Sequence, residues 1–323
     1  MRRLLTTVAA LALAGATFVA ATAQADYPER PITVIVPWSA GGGTDATGRI
    51  IAKIMQDQLG VPVNVVNRTG GSGVVGHQAI AAAKPDGYTI GVVTVEIAMM
   101  HWAGLTELSY KDYTPVALYN ADPAGVEVNV DSAFKSVEEI LAAAKAEPGK
   151  LKASGTGQGG IWHLALAGML VEAGLDPQSI VWVPSQGAAP ALADLAANGI
   201  DLATASVVES RALMEAGKVK VIAVMADERI PAFPDVPTLK EAGGPAWNTA
   251  AWRTVAGPKG LPAEVQAKLA DTLEAIYNSA EFKEFMDARG FGMVWAGPDG
   301  LAEHYAKADE DFGKVMKAVG LAK

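Results

Sequence analysis

The chain has 323 residues, is 50% hydrophobic and 19% charged, lacks cysteine and carries a formal net charge of −9. That apolar content excludes a disordered chain, and the length leaves room for two domains with sizeable cores. Without cysteine there can be no disulfide scaffold, thiolate metal site, iron–sulfur cluster, cysteine nucleophile or lipoprotein anchor, and the acidic balance argues against a nucleic-acid partner.

Residues 1–25 read as an export signal. Met1-Arg2-Arg3 is a basic start, an apolar run follows from Leu4 to Ala21, and Ala23-Gln24-Ala25 gives the small-x-small cleavage pattern. Small residues and a cleavage pattern favour a signal over a membrane anchor. Arg2-Arg3 stands without the rest of a twin-arginine motif, so the Sec route is the expectation. The mature protein then starts at Asp26, is more acidic for the loss of two arginines, and is expected in the periplasm. No later run of about 18 apolar residues offers a membrane span.

Strand and helix patterns alternate from there. Ile32–Trp38 is β-branched and apolar, as a buried strand should be. A helix from Thr44 to Leu59 puts Ile50, Ile51, Ile54, Met55 and Leu59 on one stripe. Val61–Asn67 is a second strand, a helix runs on through Ala83, and Tyr88–Val95 is a third strand. A second set opens near Ala124, with a capping box at Ser136-Val-Glu-Glu139 starting a helix that stops at Pro148. Strands at 151–154, 180–184, 200–205 and 219–226 alternate with helices at 161–173, 190–197 and 207–216. The tail reads as strand 251–256, helix 262–279 with Pro262 in its first turn, a helix near 281–289, strand 292–295 and helix 298–319. A βαβαβ start implies a doubly wound α/β sheet.

The final helices have no sheet of their own to cover, so they are expected to fold back on the first unit. This gives domain 1 as residues 26–120 plus 250–323 and domain 2 as 121–249, with two crossings, near 119–123 and near 243–252. A two-crossing hinge around a cleft suits a protein that closes on a ligand.

Three glycine clusters follow strands: Gly41-Gly-Gly43, Gly70-Gly-Ser-Gly73 and Gly155-Thr-Gly157-Gln-Gly-Gly160. One such loop would be an ordinary tight turn. Three at the carboxyl edge of strands, two of them opening helices, point to a cleft that receives an anion on backbone N–H groups. Thr44 and Asp45 read as helix-capping residues beside that site.

Other chemistries fare worse. Gly155–Gly160 spells G-x-G-x-x-G, but the next strand ends Trp182-Val-Pro-Ser185 without the ribose-binding acid, so a dinucleotide cofactor is rejected. Gly43-Thr44 lacks the lysine of a P-loop, and no G-x-S-x-G elbow exists. His77, His101, His163 and His304 show no metal-binding spacing, so no metal, cofactor or catalytic residue is expected. His163 reads as structural first and a ligand contact second. Glu138 and Glu139 read as solvated, and Met99, Met100 and Trp102 as packing. Arg68 and Arg253 are at least as suited to a protein carboxylate as to a ligand.

The mature opening, Tyr27-Pro-Glu-Arg-Pro-Ile-Thr-Val-Ile-Val-Pro-Trp-Ser-Ala-Gly-Gly-Gly-Thr-Asp45, resembles the TctC/Bug family of extracytoplasmic solute receptors of tripartite tricarboxylate transporters. The resemblance continues through Val66-Asn-Arg-Thr-Gly-Gly-Ser-Gly73, Lys84-Pro-Asp-Gly-Tyr-Thr89, Asp112-Tyr-Thr-Pro-Val-Ala117, Gly187-Ala-Ala-Pro-Ala-Leu192, Phe233-Pro-Asp-Val-Pro-Thr238 and Ala256-Gly-Pro-Lys-Gly-Leu-Pro262. It implies a type-2 periplasmic-binding-protein fold: two doubly wound α/β domains around a central cleft with a two-crossing hinge. It also implies a ligand carboxylate held at Trp38, Ser39, Ala40, Gly41, Gly42 and Thr44 on one side, and at Thr156, Gly157 and Gln158 on the other. Asn67 and Ser72 follow from the second loop, and Thr94, Ser185 and Ser206 from strand ends. The chain departs from many members at Pro184-Ser-Gln-Gly187 and at Thr69. With Trp162-His163 and Ala251-Trp-Arg253, these departures resemble the tricarboxylate-receptor branch.

The resulting expectation is a monomeric receptor that captures a di- or tricarboxylate such as citrate and hands it to large and small membrane subunits. A secreted α/β hydrolase, or a binding protein that serves a sensor, is the alternative.

Overall fold

The computed structural model describes residues 27–323, and in it the chain builds two sheets in turn. The first holds β1 (Ile32–Val36), β2 (Val63–Asn67), β3 (Thr89–Thr94), β4 (Tyr113–Pro123), β10 (Ala250–Pro258) and β11 (Met293–Ala296), in the order β11-β4-β10-β3-β1-β2. The second holds β5 (Gly125–Asn129), β6 (Lys152–Ser154), β7 (Val181–Trp182), β8 (Leu202–Ala203) and β9 (Val219–Val224), in the order β7-β6-β8-β5-β9. The proposed export signal lies outside the described residues.

Strand β1 is parallel to β2 and β3, as crossover connections require. Four of its five residues are buried, because helices cover both faces of the sheet. Helix α1 (Gly43–Leu59) lays Ile50, Ile51, Ile54 and Met55 on this sheet and ends at Gly60, whose left-handed φ of 70° lets its N–H reach the Gln56 carbonyl. Helices α7 (Ala263–Asn278) and α9 (Pro298–Ala318) pack on β4 from the C-terminal end of the chain. In the second unit, helix α4 (Ile161–Glu172) is buried at every position from Ile161 to Leu170. It is apolar all round because protein surrounds it.

The strands β4 and β5 are absent from the sequence reading, and their absence has a cause. β4 reads Tyr-Thr-Pro-Val-Ala-Leu-Tyr-Asn-Ala-Asp-Pro, with prolines that argue locally against a central strand. Pro115 sits where the pairing with β10 shifts register between Val255 and Ala256, so its missing N–H leaves no gap in a regular ladder. The sheets are also mixed rather than purely parallel: β10 runs antiparallel to both β3 and β4, and β5 antiparallel to β8 and β9.

The chain passes from the first sheet to the second immediately after β4, which stays paired with β10 as far as Pro123 opposite Ala250. It returns between β9 and β10. The two crossing segments are tied together: Ala124 N–H donates to the Thr249 carbonyl at 2.9 Å and Met225 N–H to the Ala124 carbonyl at 2.7 Å.

Three local expectations are corrected. The α1 N-cap is Gly42 without a side-chain bond, while Asp45 lies inside the first turn and accepts from the Gly41 N–H at 3.0 Å. Pro262 is the N-cap of α7 rather than a first-turn residue. Ser136 caps α3 (Val137–Ala146), but the Glu139 carboxylate returns to the Lys135 N–H at 2.6 Å, so the box is not reciprocal.

Candidate functional site

A cavity lies where the two sheets face each other across the crossing segments. The first sheet's unit contributes Trp38, Ser39, Gly42, Thr44, Thr94, Glu96 and Arg253; the second contributes Thr156, Ile161, Gly187 and Glu209. The start of α1 and the start of α4 both open onto it.

Its floor is built from α2 (Val74–Ala81) upward. His77 is fully buried; its Nδ1 meets the Gly73 carbonyl at 2.8 Å and its Nε2 accepts the Thr94 N–H at 3.1 Å. This pairing fixes the neutral tautomer protonated on Nδ1, and burial holds the imidazole down at about 4. Thr94 is thereby positioned to accept from Trp38 Nε1 at 3.2 Å and to donate to Glu96 Oε2 at 2.5 Å.

Arg253 forms the second fixed point. It is 3% exposed, pairs with Asp122 at 2.5 Å, donates to Asn120, and donates through Nε to the Thr44 hydroxyl at 3.0 Å. The other Asp122 oxygen accepts the Gly292 N–H at 2.8 Å, so the ion pair is fully dressed, as a buried pair must be. A side chain at Gly43 would lie 2.7 Å from the guanidinium, which is why that position is glycine. The sequence left Arg253 between ligand and protein carboxylate; its protein carboxylate is Asp122.

Several bonds cross the cleft. Ser39 N–H donates to the Gln186 carbonyl at 3.1 Å, and Ser72 Oγ donates to the Gln158 carbonyl at 2.9 Å. Gly43 N–H, at the start of α1, donates to Glu209 Oε1 at 2.6 Å. Ile161 N–H, at the start of α4, donates to Glu96 Oε1 at 3.3 Å.

Of the sequence-predicted site residues, the structure brings Trp38, Ser39, Gly42, Thr44, Thr94 and Thr156 together around the cavity. The others do not line it. Ala40 and Gly41 are exposed. Asn67 is spent within its own unit, on the Trp38 carbonyl at 3.0 Å and Asp45 at 2.8 Å. Ser72, Gly157 and Gln158 form the crossing contact beside the cavity: a side chain on Gly157 would sit 2.2 Å from Ser72 Oγ. Ser185 bonds to the Gly187 carbonyl at 3.1 Å, and Ser206 is buried, donating to Glu209 Oε2 at 2.8 Å. His163 is buried and stacked on Trp182, with Gly159 N–H donating to its Nδ1 at 3.0 Å. Met99 and Met100 are core, and Trp102 donates to the Asp309 carbonyl at 3.1 Å.

Sequence reading missed Glu96 and Glu209. Both carried a signal: Glu96 follows the end of β3, and Glu209 closes a Ser-x-x-Glu capping box with Ser206 at the start of α6 (Val207–Glu215). The third glycine of the G-x-G-x-x-G run also has its explanation here. A side chain at Gly160 would lie 2.8 Å from Thr156 Oγ1 and 3.6 Å from Glu96 Oε1. Glycine keeps that space open.

Two hydroxyls in the cavity are left over. Ser39 Oγ and Thr156 Oγ1 are buried and have no hydrogen-bond partner among the described residues. Buried polar groups without partners are uncommon, and two facing one cavity mark a place where a polar ligand completes the bonding. No group of three or more His, Asp or Glu among the described residues is placed to hold a metal.

Two α/β units hinged by paired crossing segments, with helix starts and unsatisfied hydroxyls in the cleft between them, define a solute-binding protein of the periplasmic type. The chain belongs to the tripartite tricarboxylate transporter family of receptors, whose family model matches residues 47–321. BugT of Bordetella pertussis is 30% identical over 94% of this chain and 93% of its own. A UPF0065 protein of Pseudomonas sp. (strain P51) is 32% identical over 90% of this chain and 86% of its own. Among solved structures, a Rhodopseudomonas palustris protein with adipate superposes with a TM-score of 0.86 at 29% identity, covering 92% of this chain and 99% of that one. MatC from the same organism, with bound malate, superposes at 0.83 with 28% identity over 90% and 99%. The family and these neighbours are solute-binding receptors, not enzymes.

Proposed function

We propose that this protein captures a small di- or tricarboxylate, citrate among the candidates, and delivers it as a periplasmic monomer to the large and small membrane subunits of a tripartite transporter. The observation that carries the reading is the pair of unsatisfied hydroxyls, Ser39 and Thr156, one from each side of a cavity onto which two helix starts open. A carboxylate bridging them would accept from both and draw the two units together, which is hinge closure. The units are taken as residues 26–120 with 250–323, and 121–249, after removal of the signal at Ala25. The adipate and malate bound in the two R. palustris neighbours support the ligand class.

The test is a thermal-shift and calorimetric panel of malate, adipate, citrate and related acids, on protein denatured and refolded to strip any resident ligand. Binding only to the folded state raises the melting temperature in proportion to the logarithm of ligand over Kd. No shift with any organic acid refutes the reading. Uptake of the binding acid in a strain deleted for this receptor tests the transport role.

A further inference from the structure

The cavity presents two carboxyl groups, and each reaches across the cleft to the helix start of the other unit. Glu96, from the end of β3, accepts the first N–H of α4; Glu209, on α6, accepts the first N–H of α1. These are the positions where a helix dipole would favour a ligand carboxylate. Both acids are held in place by hydroxyls of their own unit, Glu96 by Thr94 at 2.5 Å and Glu209 by Ser206 at 2.8 Å. Arg253 is the one cation among the described cavity-lining residues; it pairs with Asp122 at 2.5 Å, and its charge also acts on Glu96 and Glu209.

The surrounding groups add no positive charge. His77, behind Thr94, is neutral with its imidazole held at about 4 by burial. Glu127, fully buried on β5, has its carboxyl pushed well up by burial, with Glu209 nearby adding to the rise. Burial also raises the Glu96 carboxyl. An incoming carboxylate meets hydroxyls that can donate to it, but also the carboxyl groups of Glu96 and Glu209. Carboxylates brought together in this way share protons rather than all ionise.

Resting on the reading above that the ligand is a carboxylate, we infer that the cleft binds its anion together with a proton, and that Glu96 and Glu209 are the residues that impose this selectivity. The proton comes from solvent on binding and leaves with the ligand. It is shared between the ligand and Glu96, with Glu209 facing the same cavity. The cleft therefore favours the less charged protonation state of a polycarboxylate, and affinity falls as pH rises. Up to about tenfold is lost per pH unit where a full proton is taken up.

Isothermal titration with malate, adipate and citrate, each in two buffers of different ionisation enthalpy near neutral pH, counts the protons. The wild type should take up close to one proton per ligand. Glu96→Gln mimics the protonated acid, and Glu209→Gln keeps an oxygen for the Gly43 N–H. At least one of the two variants should lose the uptake, bind more tightly above neutral pH and show a flatter pH dependence. Binding without net proton uptake by the wild type overturns the inference while leaving the receptor reading intact. So does uptake that persists undiminished in both variants. Failure of every carboxylate to bind overturns the receptor reading itself.

Discussion

The Ser39 N–H donates to the Gln186 carbonyl at 3.1 Å, and Gly187, the next residue, has a φ of 148° and lies against the Ser39 side chain. Glycine is needed there twice over. The backbone conformation is one that side chains rarely adopt, and a Cβ would meet Ser39 Oγ at 2.7 Å. Gly187→Ala is expected to weaken ligand binding by about 1–3 kcal/mol, the cost of overpacking, with titration calorimetry as the measurement.

Gly157 makes a cleaner probe of closure. It needs no positive φ, and the three atoms nearest to a Cβ there all belong to Ser72 on the facing unit, at 2.2 to 2.6 Å. If closure is the binding step proposed above, the two residues separate in the open form and alanine is tolerated there. Gly157→Ala should therefore lower affinity by about tenfold or more while the unliganded melting temperature holds. Small-angle scattering should show a more extended particle. An unchanged affinity would argue against closure as the binding step.

Among the described residues, the Thr156 hydroxyl has no hydrogen-bond partner to lose. Thr156→Val keeps the shape and removes a buried unsatisfied group, so unliganded stability should stay level or rise. If that hydroxyl donates to the ligand, affinity for malate or adipate falls by about tenfold in the same variant. Thermal denaturation with and without ligand separates the two effects.

Arg253 and Asp122 are both about fully buried. Arg253→Met leaves Asp122 charged and unpaired, and should cost about 3–5 kcal/mol in urea denaturation. Adding Asp122→Leu should restore part of that loss, because the stranded charge is gone. A double variant no more stable than the single one would show that Thr44 and Asn120, not Asp122, are what Arg253 serves.

His77 gives the fold a pH dependence of predictable sign. Its imidazole is held at about 4 in the folded protein against about 6.5 unfolded, so only the unfolded chain takes the proton between those values. Stability is complete above pH 6.5 and is lost as pH falls towards 4, by about 3 kcal/mol from this residue. Urea midpoints measured across that range should drop, and His77→Gln, with nothing to protonate, should show a shallower decline from a lower starting point.

How far the sequence reaches can be seen residue by residue. The stripe of α1 and the β-branched run of β1 are written locally, because burial of one face imposes a period that neighbours in sequence display. The strand β4 is not, since its prolines argue against a central strand unless β10 and its register shift are known. Among site residues, Trp38 and Thr156 follow from position next to glycine loops. Asn67 does not line the cavity because it spends its amide on Asp45, a neighbour that only folding supplies, whereas Ser206 is spent on Glu209 in a capping box that the sequence itself spells.

The net charge of −9, the lack of cysteine and the glycine loops at strand ends are properties of the sequence alone. They suffice to exclude whole classes of chemistry and to suggest an anion cleft. Which groups face that cleft is decided by the tertiary structure. Glu96 and Glu209 stand 113 positions apart along the chain. They come to line one cavity only because β10 returns beside β4 and brings the two units together. Helix starts, carboxylates and hydroxyls act through distances of a few ångströms, and those distances between remote segments exist only in the folded chain.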